Sequence, residues 1–197
     1  MKKKIRVCHV NITSILLHKH ELVMKYFECD IISINETYLS NNKHCDLPGF
    51  TLFRNDGLQR RGSGVLLAIR NNIKAIEVVN KTEDDNEIIA IEIISKEMGK
   101  ILVASLYVHP HAKKIKSEWL QDLYNVNRNC IIVGDLNAAL QSKGSNKTNM
   151  LGRKLLNILN DGFLSCIEDK IATYEKKGLR RKTRLDISVT STVYADI

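Results

Sequence analysis

Short apolar runs separated by polar breaks fill most of the chain, and few of them are long enough to be anything but strands. Ile5 to Val10 alternates apolar with other residues and predicts a strand ending at Asn11. Leu16, Leu17, Val23, Met24 and Phe27 recur near helical spacing, which predicts an amphipathic helix from about Ser14 to Phe27. Asp30 to Asn35 predicts a buried strand that runs straight into Glu36-Thr37. Phe50 to Phe53 predicts a short strand, with Arg54-Asn55-Asp56-Gly57 as a turn after it. Gly62-Ser63-Gly64 opens Val65 to Ile69, whose continuous apolarity implies burial on both faces.

Further along, Ile73 to Val79 and Ile88 to Ile94 predict strands separated by the acidic turn Glu83-Asp84-Asp85-Asn86. Lys100 to Tyr107 predicts another, and Ser117 is placed to cap a helix through Trp119, Leu120 and Leu123. Cys130 to Val133 is a short buried strand, and Gly134 is expected to release the backbone ahead of Asp135 and Asn137. A loop over Ser142 to Asn146 leads to a helix through Leu151, Leu155, Leu156 and Leu159, stopped at Gly162. Ile171 to Tyr174 and Leu185 to Val189 complete the series. Many strands with few helices indicate an α/β sandwich.

Composition narrows this little. With 197 residues, two prolines and no low-complexity tract, the chain offers no linker, so one domain over residues 1–197 is expected. No apolar run is long enough to span a bilayer. The basic start at Lys2 to Lys4 resembles that of a signal peptide, but Arg6, His9 and Asn11 interrupt the apolar stretch, so an intracellular, reducing setting is expected. Five scattered cysteines without a Cys-x-x-Cys pair argue against a disulfide framework or structural zinc, and Cys8 and Cys130 are expected as small core residues. His18, His20, His109 and His111 lack a third soft ligand nearby and are expected as surface or loop histidines.

Charge says more. A formal net charge of +8 favours a polyanionic partner. Lys176, Lys177, Arg180, Arg181, Lys182 and Arg184 lie within one short stretch that no acidic residue interrupts, which suits a loop contacting phosphates. Polar groups also recur at strand ends: Asn11, Glu36, Tyr107, and Asp135 with Asn137. Asp186 sits inside another apolar run, where an ionised carboxylate needs a polar environment. Carboxylates and amides without Cys or His partners suit a hard cation such as Mg²⁺. With the basic loop, they point to phosphate-ester chemistry.

The ordered series Asn11, Glu36-Thr37, Arg54-Asn55-Asp56, Gly62-Ser63-Gly64-Val65, Tyr107-Val108-His109-Pro110, Gly134-Asp135-Leu136-Asn137-Ala138, Gly144-Ser145 and Leu185-Asp186 resembles the endonuclease/exonuclease/phosphatase superfamily. Within it, the chain looks most like the apurinic-type endonuclease domain of LINE-type, non-LTR retrotransposons. The resemblance implies a DNase I-like, four-layer sandwich of two mixed sheets flanked by helices. It implies that Glu36 binds Mg²⁺ or Mn²⁺ with Asn11 beside it, and that Asp135 orients or deprotonates the attacking water. Asn137 and Tyr107 would hydrogen-bond the scissile phosphate, and Asp186 matches the acid that holds the family's catalytic histidine. The implied partners are DNA and a reverse transcriptase domain in a longer parent protein, and the implied compartment is the nucleus.

Several positions depart from the family pattern. The terminal Ser-Asp-His motif does not occur before Ile197, so a domain lacking its last strand is expected. Ser63 stands in a usually all-glycine turn, His109 replaces the first proline of Tyr-x-Pro-Pro, Lys143 stands where tryptophan often precedes Gly-Ser, and Thr183 replaces a serine before Leu-Asp. Three readings stay open: a Mg²⁺-dependent endonuclease, an inactive remnant that binds nucleic acid through the basic loop, and a phosphoesterase acting on inositol phosphates or lipids.

Overall fold

Two large sheets form, each built from its own consecutive stretch of the chain. A computed structural model describes residues 5–58, 62–95, 99–167, 174–175, 182–183 and 186–191. The first sheet has the order β1-β2-β4-β3, from β1 (Val7–Asn11), β2 (Ile31–Asn35), β3 (Phe50–Asn55) and β4 (Val65–Arg70). The second uses β5 (Ala75–Glu83), β6 (Asn86–Ser95), β7 (Gly99–Val108), β8 (Cys130–Asp135), β9 (Leu164–Cys166) and β12 (Asp186–Ser191), in the order β5-β6-β7-β8-β12-β9. β10 (Tyr174–Glu175) and β11 (Lys182–Thr183) form a separate antiparallel pair. Each large sheet mixes one parallel pairing, β1 with β2 and β7 with β8, into otherwise antiparallel partners.

Strand alternation sorts the side chains into three apolar layers, since successive residues of a strand face opposite sides. Val65, Leu67 and Ile69 of β4 meet Ile89, Ile91 and Ile93 of β6 and Val103 of β7 between the sheets. Leu66 and Ala68 face outward with Ile32 and Ile34, where Ile15 and Leu22 of α1 (Ile15–Tyr26) cover them. Ile88, Leu102, Leu106 and Ile132 face the other way, under α2 (Ser117–Val126) and α3 (Met150–Asn160). The layers therefore run helix, sheet, sheet, helix, as the four-layer sandwich requires.

The structure corrects several sequence expectations. Cys8 is not a free core thiol: it is disulfide-bonded to Cys29, because the parallel β1–β2 pairing returns the chain beside Cys8 just before β2 begins. Arg54 and Asn55 belong to β3 rather than to a turn, since both continue its pairing with β4. Ser117 is the first helical residue of α2, not its cap. A single 3-10 turn, Gln141–Lys143, replaces part of the predicted loop. His109 lies in the loop after β7, as expected of a surface or loop histidine, but it is buried there. Gly134 lies inside β8 and is needed for proximity: a Cβ there would stand 1.7 Å from the Leu106 carbonyl oxygen of β7.

Candidate active site

β1 and β2 end together, as do β7 and β8, because each pair is parallel, and contacts from Asn11 to Asp135 and from Tyr107 to Glu36 put both pairs' ends at one edge of the sandwich. Side-chain parity then decides what faces the gap. Tyr107 shares the inter-sheet face of β7 with Val103, and two-residue periodicity sets Asp135 on the same face of β8 as Ile131. Asn11 sits opposite Asn35 in the β1–β2 register.

One amide draws two carboxylates together. Asn11 Nδ2 donates to Glu36 Oε1 at 2.7 Å and to Asp135 Oδ2 at 3.1 Å. Tyr107 donates its phenol proton to the same Glu36 Oε1 at 3.0 Å, and Tyr38 donates to Glu36 Oε2 at 3.0 Å. Three donors thus occupy a carboxylate with about four acceptor sites, which leaves room for one further partner. Burial and the neighbouring negative charge of Glu36 push the Tyr107 phenol well above its ordinary range, so it remains a donor. Glu36 itself adopts a left-handed φ of 54°, and its carbonyl accepts from the Ser14 N–H at 2.8 Å.

Asp135 is buried and fixed by its own backbone. Its N–H donates to Asn35 Oδ1 at 2.8 Å, and its Oδ1 accepts from the Asn137 N–H at 2.9 Å. Asn137, also left-handed at φ 48°, gives one side-chain proton to the Val108 carbonyl at 3.0 Å. The backbone of Asp186 lies directly opposite Asp135 in the β12–β8 register. Lys176, Lys177, Arg180, Arg181 and Arg184 lie outside the described residues. Of the basic loop, only the backbone at Lys182, in β11, is described.

The donor set fits a hard cation. Asn11 Oδ1 is buried and accepts no hydrogen bond. Its amide orientation is fixed by the two carboxylate acceptors on the Nδ2 side, so the oxygen is the atom left over. A buried orphan of this kind costs roughly 1–3 kcal/mol, and amide and carboxylate oxygens are ligand types that hard divalent ions accept. Among the described residues, no cluster of three or more His, Cys, Asp or Glu could hold a metal.

Sequence reading missed the supporting polar residues. Asn35 holds the Asp135 backbone and also donates to Ser105 Oγ at 3.1 Å, and Ser105 shares a 2.7 Å hydrogen bond with Ser33. His9 shares a 3.0 Å hydrogen bond with Ser33. The available signal was a polar residue inside each apolar run, on the parity of the inter-sheet face. Tyr38 carried no such pattern.

The model of the Endonuclease/Exonuclease/phosphatase family matches residues 8–190. The chain belongs to this family. Family members are hydrolytic nucleases and phosphatases that generally use divalent metals. No curated protein matches the chain. Among solved structures, the endonuclease domain of TRAS1, a telomere-specific non-LTR retrotransposon, superposes with a TM-score of 0.73 at 20% identity, covering 96% of this chain and 85% of that one. An AP endonuclease from Archaeoglobus fulgidus gives 0.65 at 16% identity, with 98% and 89% covered. The 3'-5' exonuclease NExo from Neisseria meningitidis gives 0.67 at 13% identity, with 96% and 88% covered. At these identities the likeness establishes the family's DNase I-like fold.

Proposed function

We propose that this chain is a Mg²⁺-dependent DNA endonuclease, which nicks target DNA to leave a 3′-hydroxyl that primes reverse transcription of a retrotransposon. The observation that carries the reading is the Asn11 amide held between the Glu36 and Asp135 carboxylates, with its own oxygen buried and unpaired. Glu36 and Asn11 Oδ1 would hold the metal, which when bound polarises a phosphoryl oxygen and stabilises charge developing there. Asp135 would orient a water and take its proton, a role that its fixed backbone and side chain support. Tyr107, kept protonated, anchors Glu36 and can turn its single proton toward a phosphate oxygen. The basic stretch Lys176 to Arg184 supplies sequence-independent affinity for the DNA backbone.

Support for DNA as substrate comes from the retrotransposon endonuclease fold and from a net charge of +8. Nicking of supercoiled plasmid by the purified chain tests the proposal. Open circles should form in Mg²⁺, disappear in EDTA and with Glu36→Ala, and fall by roughly 100-fold or more with Asp135→Asn, as removal of a general base does. The nick should be extendable by a DNA polymerase without prior end repair. A folded chain that binds DNA but makes no nick in Mg²⁺ or Mn²⁺ would sink the proposal, and phosphate release from inositol phosphates in its place would redirect it.

A further inference from the structure

Glu87 is fully buried, yet it belongs neither to the apolar core nor to the carboxylate pair just described. Its Oε1 accepts from Ser63 Oγ at 2.5 Å and stands 3.1 Å from His109 Nε2, while its Oε2 accepts from the Gly64 N–H at 2.6 Å. Burying a carboxylate is costly unless its oxygens are satisfied, and here three groups converge on it. Ser63 and His109 are two of the places where the sequence departs from the family pattern. They meet on one oxygen.

Both arms lead from Glu87 to Glu36. On one side, the Gly64 carbonyl accepts from the Thr37 N–H at 3.2 Å and the Ser63 carbonyl from the Tyr38 N–H at 3.1 Å. That turn therefore supports the segment in which Glu36 and Tyr38 both take a left-handed φ of 54°. Non-glycine residues stay in that region only where their surroundings hold them. Gly64 itself has φ 99°, and a Cβ there would stand 2.2 Å from Thr37 Oγ1, so the turn and the Glu36 segment are in close contact. On the other side, the His109 ring meets the Tyr107 ring edge-on, with centroids 4.6 Å apart, and Tyr107 donates to Glu36 Oε1.

We propose that Glu87 is a positioning residue for the hydrolytic site, setting the Glu36 carboxylate and the Tyr107 phenol against each other through the Ser63-Gly64 turn and the His109 ring. The inference rests on the reading of Asn11, Glu36, Tyr107 and Asp135 as that site. Glu87 touches no reacting group, so its influence passes through the Ser63-Gly64 turn and the His109 ring.

The test uses the full chain with Glu87→Gln, which keeps volume and one carbonyl acceptor, and His109→Phe, which keeps a ring against Tyr107 but cuts its link to Glu87. The ring resonances of Tyr107, in protein carrying ¹³C-labelled tyrosine and assigned with Tyr107→Phe, report the phenol's position without metal or substrate. Both variants should shift the Tyr107 signal while leaving that of Tyr26 in place. In plasmid nicking, Glu87→Gln should lower kcat by about 10- to 100-fold, as loss of a supporting partner does, with KM for DNA unchanged. In a Tyr107→Phe background the same substitution should cost far less, because coupled residues are not additive. An unmoved Tyr107 signal with unchanged kcat would overturn the proposal, as would equal losses in both backgrounds. If Glu87→Gln does not fold, His109→Phe decides by the same readouts. An unmutated chain that cuts nothing would sink the endonuclease reading and leave the ring signal to judge Glu87.

Discussion

At Gly134 the missing side chain is a matter of clearance. The Leu106 carbonyl of the neighbouring strand fills the space where a Cβ would sit. Gly134→Ala should therefore cost about 3 kcal/mol, the upper part of the range for forced overpacking, read as a lower urea midpoint with unchanged slope. Sequence reading gave this glycine a turn role, because proximity to a partner strand leaves no mark in neighbouring residues. Tyr107 makes a second residue-scale prediction. Its folded-state pKa lies above its ordinary value of 10.0, first through burial and then through the charge of Glu36. The folded state then holds this proton more tightly than the unfolded chain. Its contribution is complete below the ordinary value and is lost as pH rises past it. Thermal midpoints measured from about pH 9 to about pH 11 should fall more steeply in the unmutated protein than in Tyr107→Phe.

Among the elements, the β5–β6 hairpin shows how a turn at the site edge is held. Lys116, 4% exposed, reaches Glu83 Oε1 at 2.5 Å and Asp84 Oδ2 at 2.9 Å, while Lys114 meets Asp84 at 3.0 Å. The carbonyl of Asp85 accepts from the His109 N–H at 2.9 Å, so the turn also steadies the loop that follows Tyr107. Hydrogen bonds from Lys116 and then Lys114 hold the Asp84 carboxyl below its ordinary 3.8. That support is present above 3.8 and disappears as pH falls through the lower folded value. Lys116 is pushed above its ordinary 10.5 by Asp84 and then Glu83, so its share is complete below 10.5 and is lost as pH rises from there through the higher folded value. Lys116→Met should speed amide exchange at Asn86 and His109 at neutral pH, and Asp84→Asn should remove the faster exchange expected there in acid. The hairpin's existence was legible from its acidic turn between apolar runs. Its clamp was not, because Lys116 read as one cation among many. β9 escaped notice for a different reason: its three residues carry too little pattern, and pairing with β12 is what makes them a strand.

For the molecule as a whole, the layers were largely legible and the joins were not. Buried strands at Ile31, Val65, Ile88 and Cys130 announce themselves by composition, and Asn11, Glu36, Tyr107 and Asp135 by standing where strands stop. The wiring of the site was hidden, since Asn35, Ser105 and Glu87 acquire their partners only when the two sheets and the turns at their edge come together. The Cys8–Cys29 bond was hidden in the same way, across a helix and a parallel pairing. One arrangement has a consequence in time. The first sheet is finished by Arg70 and the second begins at Ala75, yet Asn11 ends and Glu36 follows strands of the first, while Tyr107 and Asp135 lie in the second. A ribosome that has delivered only the first sheet has delivered two of the four groups, with nothing for the Asn11 amide to bridge. On the reading proposed above, the site cannot assemble during synthesis until Asp135 has emerged and docked, so a chain abandoned earlier carries only part of it.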